Sequence, residues 1–297
     1  MKPTRILLSA VILFCSATAV RAQKLNLDEI EQSIGYINNL QNPDGGFRPT
    51  ATETLSDLGA VTSSMRALKY LHPMARPRER ELPKEFVMKC FDRSSGGFSN
   101  RPGDKPDVRS TAMGLMAMAE LKMPVKDHAD AISKYFVANA KTLGDIYITA
   151  AALNAAEVPP PKDKTAEWIA TFEKTRNADG SYGKEPADTA GAVNTILRLG
   201  GSLRNPDATA AIVRAAQQGD GGFAKPGEKS DLATTYRCMR ALWMLKTKPN
   251  SDRLRAFIAR CRNDDDGYGV QPGQPSSTSG TYYAAIVMHW LEELQKN

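Results

Sequence analysis

The sequence predicts an all-α fold, a closed α/α toroid of six helical hairpins (an α6/α6 barrel), on three observations. A glycine–aromatic turn recurs at intervals of about 40 to 50 residues, the signature of a repeat architecture. Each turn separates a charged, amphipathic segment from one rich in Ala, Leu, Met and Thr. Strand signals are thin throughout. Helix pairs that bury one face on the next pair must either expose the ends of the array or close on themselves. Six pairs that close leave a central cavity; an open solenoid is the competing arrangement.

The chain of 297 residues begins with an address. Met1 to Arg5 is short and basic, 6–19 is an apolar run, and Val20-Arg21-Ala22 offers small residues for a cut after Ala22. That order predicts a secretory signal peptide over 1–22 and a secreted or periplasmic protein. The run falls short of the ~20 apolar residues that span a bilayer, so no membrane span is expected after its removal. Bulky Phe14 disfavours lipid attachment at Cys15. One domain is expected over 23–297. Removal of the signal takes three cations and no acid, lowering the formal charge from +6 to +3. No basic stripe with interleaved aromatics is present, and nucleic-acid binding is not expected.

The repeats follow in order. The first outer helix is expected near 27–41; it leads into Asn42-Pro43-Asp44-Gly45-Gly46-Phe47, and Asp57-Leu58 opens an inner helix near 57–71. The second has an outer helix near 82–92, the turn Ser94-Ser95-Gly96-Gly97-Phe98 and an inner helix near 107–121. In the third, between helices near 127–141 and 145–156, the glycine turn is missing and Leu143-Gly144-Asp145 stands in its place. The fourth runs through 163–176, Asn177-Ala178-Asp179-Gly180-Ser181-Tyr182 and 188–200. The fifth runs through 206–217, Gly219-Asp220-Gly221-Gly222-Phe223 and 231–245; the sixth runs through 252–262, Asp264-Asp265-Asp266-Gly267-Tyr268 and 277–294. Glycine permits the positive φ of a tight reversal, Asx side chains close the turn, and the aromatic pins it to the core. Asp57, Asp107, Asp188 and Asp231 precede apolar runs and read as helix N-caps. A Thr stands four residues after the opening residue in Thr111, Thr149, Thr235 and Thr281. The stretches Pro73 to Pro83 and Pro159-Pro160-Pro161 read as loops between repeats.

Three cysteines follow the signal, Cys90, Cys238 and Cys261. An odd, sparse set is no disulfide framework, and they read as small buried side chains. The histidines His72, His128 and His289 have no metal-pair spacing, and neither a Gly-x-Ser-x-Gly elbow nor a phosphate loop occurs. Asp264-Asp265-Asp266 holds the place of Asn42-Pro43-Asp44 and reads as turn chemistry.

The glycine–aromatic turns and Asp-led inner helices resemble the prenyltransferase and squalene cyclase repeat, over nearly the whole chain after the signal. Pro106-Asp107-Val108-Arg109-Ser110 resembles the opening of an inner helix in protein prenyltransferase β-subunits, whose arginine faces the central pocket. The resemblance implies a toroid, and for Arg109 a place where a diphosphate or carboxylate is held by paired hydrogen bonds. The family's zinc ligands, an Asp, a Cys two residues on and a His on the last inner helix, map onto Asp231, Ala233 and the region of Gly280. Two of the three are therefore missing, where catalytic zinc takes three protein ligands and an open position. Lys225 or Lys229 is the counterpart of a basic partner of the diphosphate. The acid cluster of terpene cyclases maps onto Asp107-Val108-Arg109-Ser110, where a cation and a hydroxyl replace the acids. Tyr147, Tyr236, Trp243, Tyr282 and Tyr283 are candidate cavity aromatics.

The expectation is thus a secreted toroid that binds an apolar or isoprenoid-like ligand, or a protein partner, at its centre without zinc-dependent transfer. Its candidate ligand residues are Arg109, Asp231, Lys225, Lys229, Tyr236 and Tyr282, and no cofactor is assigned. Two alternatives stay open. One is a divergent enzyme resembling protein geranylgeranyltransferase type II β-subunits, the one reading that calls for zinc; the other is a purely structural scaffold.

Overall fold

A computed structural model describes residues 26–225 and 227–296, with the expected signal peptide outside them. Among the described residues there are twelve α-helices, alternating between an outer and an inner layer. The outer helices are α1 (Leu27–Asn39), α3 (Leu82–Lys89), α5 (Ala129–Asn139), α7 (Lys162–Glu173), α9 (Pro206–Ala215) and α11 (Ser251–Arg260). The inner ones are α2 (Leu58–Leu71), α4 (Val108–Glu120), α6 (Leu143–Ala155), α8 (Pro186–Arg198), α10 (Leu232–Met244) and α12 (Thr278–Lys296).

The inner helices close into a ring. Each packs on the next from α2 round to α12, and α12 packs back on α2. At three junctions of the ring the same bond joins neighbouring repeats at the turn end. Leu58 donates its N–H to the Asn100 carbonyl of the following repeat at 2.9 Å, and Leu232 donates to Val270 at 2.8 Å. Thr278 of the last repeat makes the same bond to Pro49 of the first, at 2.9 Å, which is the closure.

The turns explain why their glycines recur. Gly45, Gly96 and Gly221 have φ of 87°, 76° and 97°. A Cβ added to them would lie 2.3, 2.6 and 2.0 Å from a backbone oxygen of the next outer helix, at Leu82, Ala131 and Arg253. The second glycine meets an aromatic of that helix: Gly46 meets Phe86, Gly97 meets Tyr135 and Gly222 meets Phe257. In the last repeat Gly267 meets Tyr36 of α1, the same contact carried across the seam. The side chain of the turn's own aromatic, Phe47, Phe98, Tyr182, Phe223 or Tyr268, is buried in the core.

The recurrent Thr has a defined task. The backbone N–H of Phe98, Tyr182, Phe223 and Tyr268 donates to the hydroxyl of Thr111, Thr189, Thr235 and Thr281 at 2.9, 3.0, 3.0 and 3.1 Å. Buried backbone donors must find a partner, and a side-chain hydroxyl supplies it where the ladder ends. In the third repeat, which has no turn, Thr149 is buried and its hydroxyl has no partner.

Three local expectations need correction. Asp57, Asp107 and Asp231 do cap their helices, accepting from Ala60, Ser110 and Thr234 N–H at 2.6, 2.7 and 2.7 Å. Asp145 and Asp188, however, lie inside the first turn of α6 and α8 and reach back to the N–H of Thr142 and Glu185, at 2.9 and 3.2 Å. A carboxylate at that position satisfies the donors preceding it, so these helices start earlier than an N-cap would place them. For the same reason Leu143-Gly144-Asp145 is the first turn of α6 rather than a substitute loop. Pro83 likewise falls in the first turn of α3, where its missing N–H costs nothing.

Candidate functional site

All six inner helices start at the glycine-turn end, so their N-termini ring one mouth of a lumen, where the helix dipoles present partial positive charge. At this mouth lies a cavity of about 140 Å³. It is lined by Thr62, Ser63 and Arg66 of α2, Arg109, Met113 and Met116 of α4, Tyr147, Ile148 and Ala151 of α6, Ala233, Tyr236 and Arg237 of α10, and Tyr282 and Tyr283 of α12. Arg109 is the second residue of α4 and stands exposed at the rim. Below it, the Arg237 guanidinium sits 4.9 Å over the Tyr147 ring.

Deeper, the aromatic rings form a column. Tyr236 stacks on Tyr283 at 5.0 Å and on Trp290 at 5.5 Å, and Trp290 stacks on Trp243 at 5.9 Å. Tyr282 donates its hydroxyl to that of Tyr236 at 3.3 Å. Such ring pairs stabilise by about 0.5–1.5 kcal/mol each beyond their buried area. Cations are threaded through the column. Arg66 lies 5.0 Å over Tyr282, Arg198 lies 5.9 Å over Tyr147, and Arg240 lies 5.2 and 5.1 Å over Trp243 and Trp290.

The charges set the titration of the phenols. Burial raises the Tyr236 pKa, but Arg66, Arg198 and Arg240 outweigh it and bring it down to about 8. Burial dominates at Tyr147 and Tyr282, whose pKa values lie above the usual tyrosine value, and it pushes Tyr283 up to about 12. Arg240 is shifted down, by burial first and then by Arg198.

Of the six residues singled out in the sequence, the structure brings Arg109, Tyr236 and Tyr282 together around this cavity. Asp231, Lys225 and Lys229 are not among its lining residues. Lys225 and Lys229 are exposed on the loop before α10. The Asp231 carboxylate is committed to the Thr234 N–H as the cap of α10. Tyr147 and Tyr283 also face the cavity, whereas Trp243 lies beneath it, against Glu293 at 2.7 Å. Sequence reasoning missed Arg66, Arg198, Arg237 and Arg240. The readable signal was an arginine in the middle or at the end of an inner helix rich in small and apolar residues.

The residues at the zinc position do not fit the metal. Asp231 gives one oxygen to the Thr234 N–H, Ala233 offers only a methyl group, and Gly280 has no side chain to offer. Among the described residues, no three His, Cys, Asp or Glu side chains are grouped to hold a metal ion. Cys90, Cys238 and Cys261 are unpaired and buried, with thiol pKa values pushed up to about 12, chiefly by burial.

A sequence profile of the prenyltransferase alpha-alpha toroid domain matches residues 6–80, 63–138 and 125–297. Over 60 residues, 20% of this chain, the sequence is 35% identical to the probable geranylgeranyl transferase type-2 subunit beta of Dictyostelium discoideum, and the match spans 17% of that relative's length. Among solved structures, protein geranylgeranyltransferase-I of Candida albicans complexed with GGPP superposes with a TM-score of 0.69 at 14% identity, covering 89% of this chain and 91% of that one. The type II terpene cyclase MstE from Scytonema gives 0.62 at 11% identity, covering 91% and 98%. A glycosidase in complex with glucose gives 0.60 at 12% identity, covering 94% and 98%. At such identities the superpositions establish the fold, and the fold hosts several chemistries.

Proposed function

We propose that this chain, which belongs to the prenyltransferase alpha-alpha toroid family, binds a small ligand in its central lumen without zinc-dependent transfer. The observation that carries this reading is the single composite wall of the lumen. The rings of Tyr147, Tyr236, Tyr282 and Tyr283 enclose a cavity at whose mouth Ala233 and a capping Asp231 replace a metal site. Aromatic faces suit an apolar or isoprenoid-like group, and the rim cations Arg109 and Arg237 suit an anionic one. At about 140 Å³ the cavity is smaller than the ~300–1,000 Å³ of pockets that enclose a drug-sized ligand. It therefore takes a short end of such a molecule, with the remainder at the mouth. The solved toroid of Candida albicans carries GGPP, which makes isoprenoids the first class to test.

The test is a titration of the purified protein with geranylgeraniol and with GGPP, read by intrinsic fluorescence, with and without EDTA, alongside its zinc content. The expected result is saturable binding that EDTA leaves unchanged, with no stoichiometric zinc. Stoichiometric zinc together with transfer of the isoprenoid to a cysteine peptide would establish the divergent transferase instead. Absence of binding by either compound would favour the scaffold reading, to which the filled column of Trp243, Trp290 and Arg240 gives specific support. Export is part of this proposal, and a mature N-terminus at Gln23 is its test. No helix among the described residues is long and apolar enough to cross a membrane.

A further inference from the structure

The rim arginine belongs to the resemblance; three other arginines do not. Arg66, Arg198 and Arg240 belong to α2, α8 and α10 and lie over the rings of Tyr282, of Tyr147 and of Trp243 and Trp290. Arg66 and Arg198 are only 6% and 9% exposed. Glu120 lies 3.7 Å from Arg66 and is shared with Lys69 at 2.9 Å, and Glu293 accepts at 2.7 Å from Trp243, whose ring lies under Arg240. Among the described residues neither Arg198 nor Arg240 forms an ion pair. Nε and Nη1 of Arg198 and Nε of Arg240 are buried without a hydrogen-bond partner, and Arg66 spends Nη1 on the Met116 sulfur at 2.8 Å. Buried charges are ordinarily paired, because an unpaired one forfeits its hydration. The rings compensate in part, and in a useful geometry: a guanidinium lying over an aromatic face keeps its N–H edge in plane and free. That edge matches the two oxygens of a carboxylate or phosphate.

We propose that the lumen below the rim is an oxyanion site, in which the Arg66 guanidinium and the hydroxyls of Tyr236 and Tyr282 hold the carboxylate or phosphate group of a small ligand, with the buried charges of Arg198 and Arg240 acting from behind the ring wall. The proposal rests on the lumen being a binding cavity and adds where the charged end of its occupant goes: inward, past Arg109. Arg66, Tyr236 and Tyr282 line the cavity of about 140 Å³, whereas Arg198 and Arg240 are not among its lining residues and lie over the rings of Tyr147 and of Trp243 and Trp290. The field is adequate. The same three cations pull the Tyr236 phenol down to about 8 against burial, and burial first, then Arg198, lowers Arg240. An oxyanion opposes both shifts.

The experiment uses the intact protein at constant ionic strength, with sodium chloride as reference and inorganic phosphate, acetate and dodecyl phosphate as probes. Binding is read by calorimetry and by tryptophan fluorescence, because two of the three tryptophans, Trp243 and Trp290, lie under Arg240. Phosphate is expected to bind saturably, raise Tm beyond the chloride reference and change the fluorescence. Arg240→Gln is expected to weaken phosphate binding at least tenfold while leaving the Tm of the ligand-free protein unchanged or higher, since it removes a repelled cation. Arg198→Gln is the second variant, with the same expectation. Phosphate that does no more than chloride overturns the proposal, as do variants that lower the ligand-free Tm and keep the phosphate response. Dodecyl phosphate binding more than tenfold tighter than inorganic phosphate assigns the anion to a tailed ligand; equal affinities assign it to a free one. Neutral geranylgeraniol separates this proposal from its premise. If it binds and phosphate does not, the oxyanion site fails and the apolar reading stands; if phosphate alone binds, the reverse holds.

Discussion

Four turns spend a threonine hydroxyl on one buried amide, whereas Thr149, deeper in α6 of the repeat without a turn, has a buried hydroxyl with no partner. This asymmetry predicts opposite effects from one substitution. In Thr235→Val the shape is kept, so no cavity opens, but the Phe223 N–H loses its acceptor at 3.0 Å. A buried amide left unsatisfied costs about 1–3 kcal/mol. In Thr149→Val the hydroxyl removed is buried and without a partner. Its burial costs about 1–3 kcal/mol by the mutational scale, so its removal is neutral or stabilising. The two variants should differ by about 2 kcal/mol or more, a Tm gap of about 4–8 °C for a domain of this size. Urea unfolding with a common m-value is the assay, with Thr111→Val and Thr281→Val as further members of the destabilised set. Equal losses for Thr149→Val and Thr235→Val would refute the assignment of this threonine as the turn's acceptor, and with it the physical basis of the repeat.

Two further predictions concern the lumen and its rim. If Asp231 acts as the cap of α10, Asp231→Asn keeps stability nearly intact and Asp231→Ala costs about 0.5–2 kcal/mol, with ligand binding unchanged in both; loss of bound ligand in Asp231→Asn would return Asp231 to the binding residues. Tyr236 is held near 8 against an unfolded tyrosine near 10, so its contribution is absent below pH 8, grows between 8 and 10, and is complete above 10. Tyr283, raised to about 12, contributes in the opposite sense, its share being lost between pH 10 and 12. Wild type should therefore gain stability over Tyr236→Phe between pH 8 and 10 and show one phenolate by ultraviolet absorbance in that range. No phenolate below pH 9 would contradict the influence of Arg66, Arg198 and Arg240.

The repeat was legible in the sequence because its turns are local. Gly221 must reverse the chain against the Arg253 backbone, and only glycine fits, so the requirement is written in one residue. Caps such as Asp57 and Asp107 were legible for the same reason. Asp145 and Asp188 were misplaced because a carboxylate three residues into a helix serves the same orphan donors as one at its start, and composition does not distinguish the two. The rim arginine was visible through a motif, whereas Arg66, Arg198 and Arg240 lie far apart in the chain. What makes them a group is the closure of α12 on α2, which brings three separate helices onto one axis. Lys225 and Lys229 showed the converse: adjacent to a motif in sequence, they lie outside the cavity in space.

Photo-crosslinking with a benzophenone-bearing isoprenoid phosphate, followed by peptide mapping, tests the binding lumen most directly. The account predicts zinc-independent adducts on α4, α6, α10 and α12, at or beside Met113, Tyr147, Tyr236 and Tyr283, and their loss on competition with unlabelled ligand. Adducts confined to the outer helices, or none that competition removes, would contradict it.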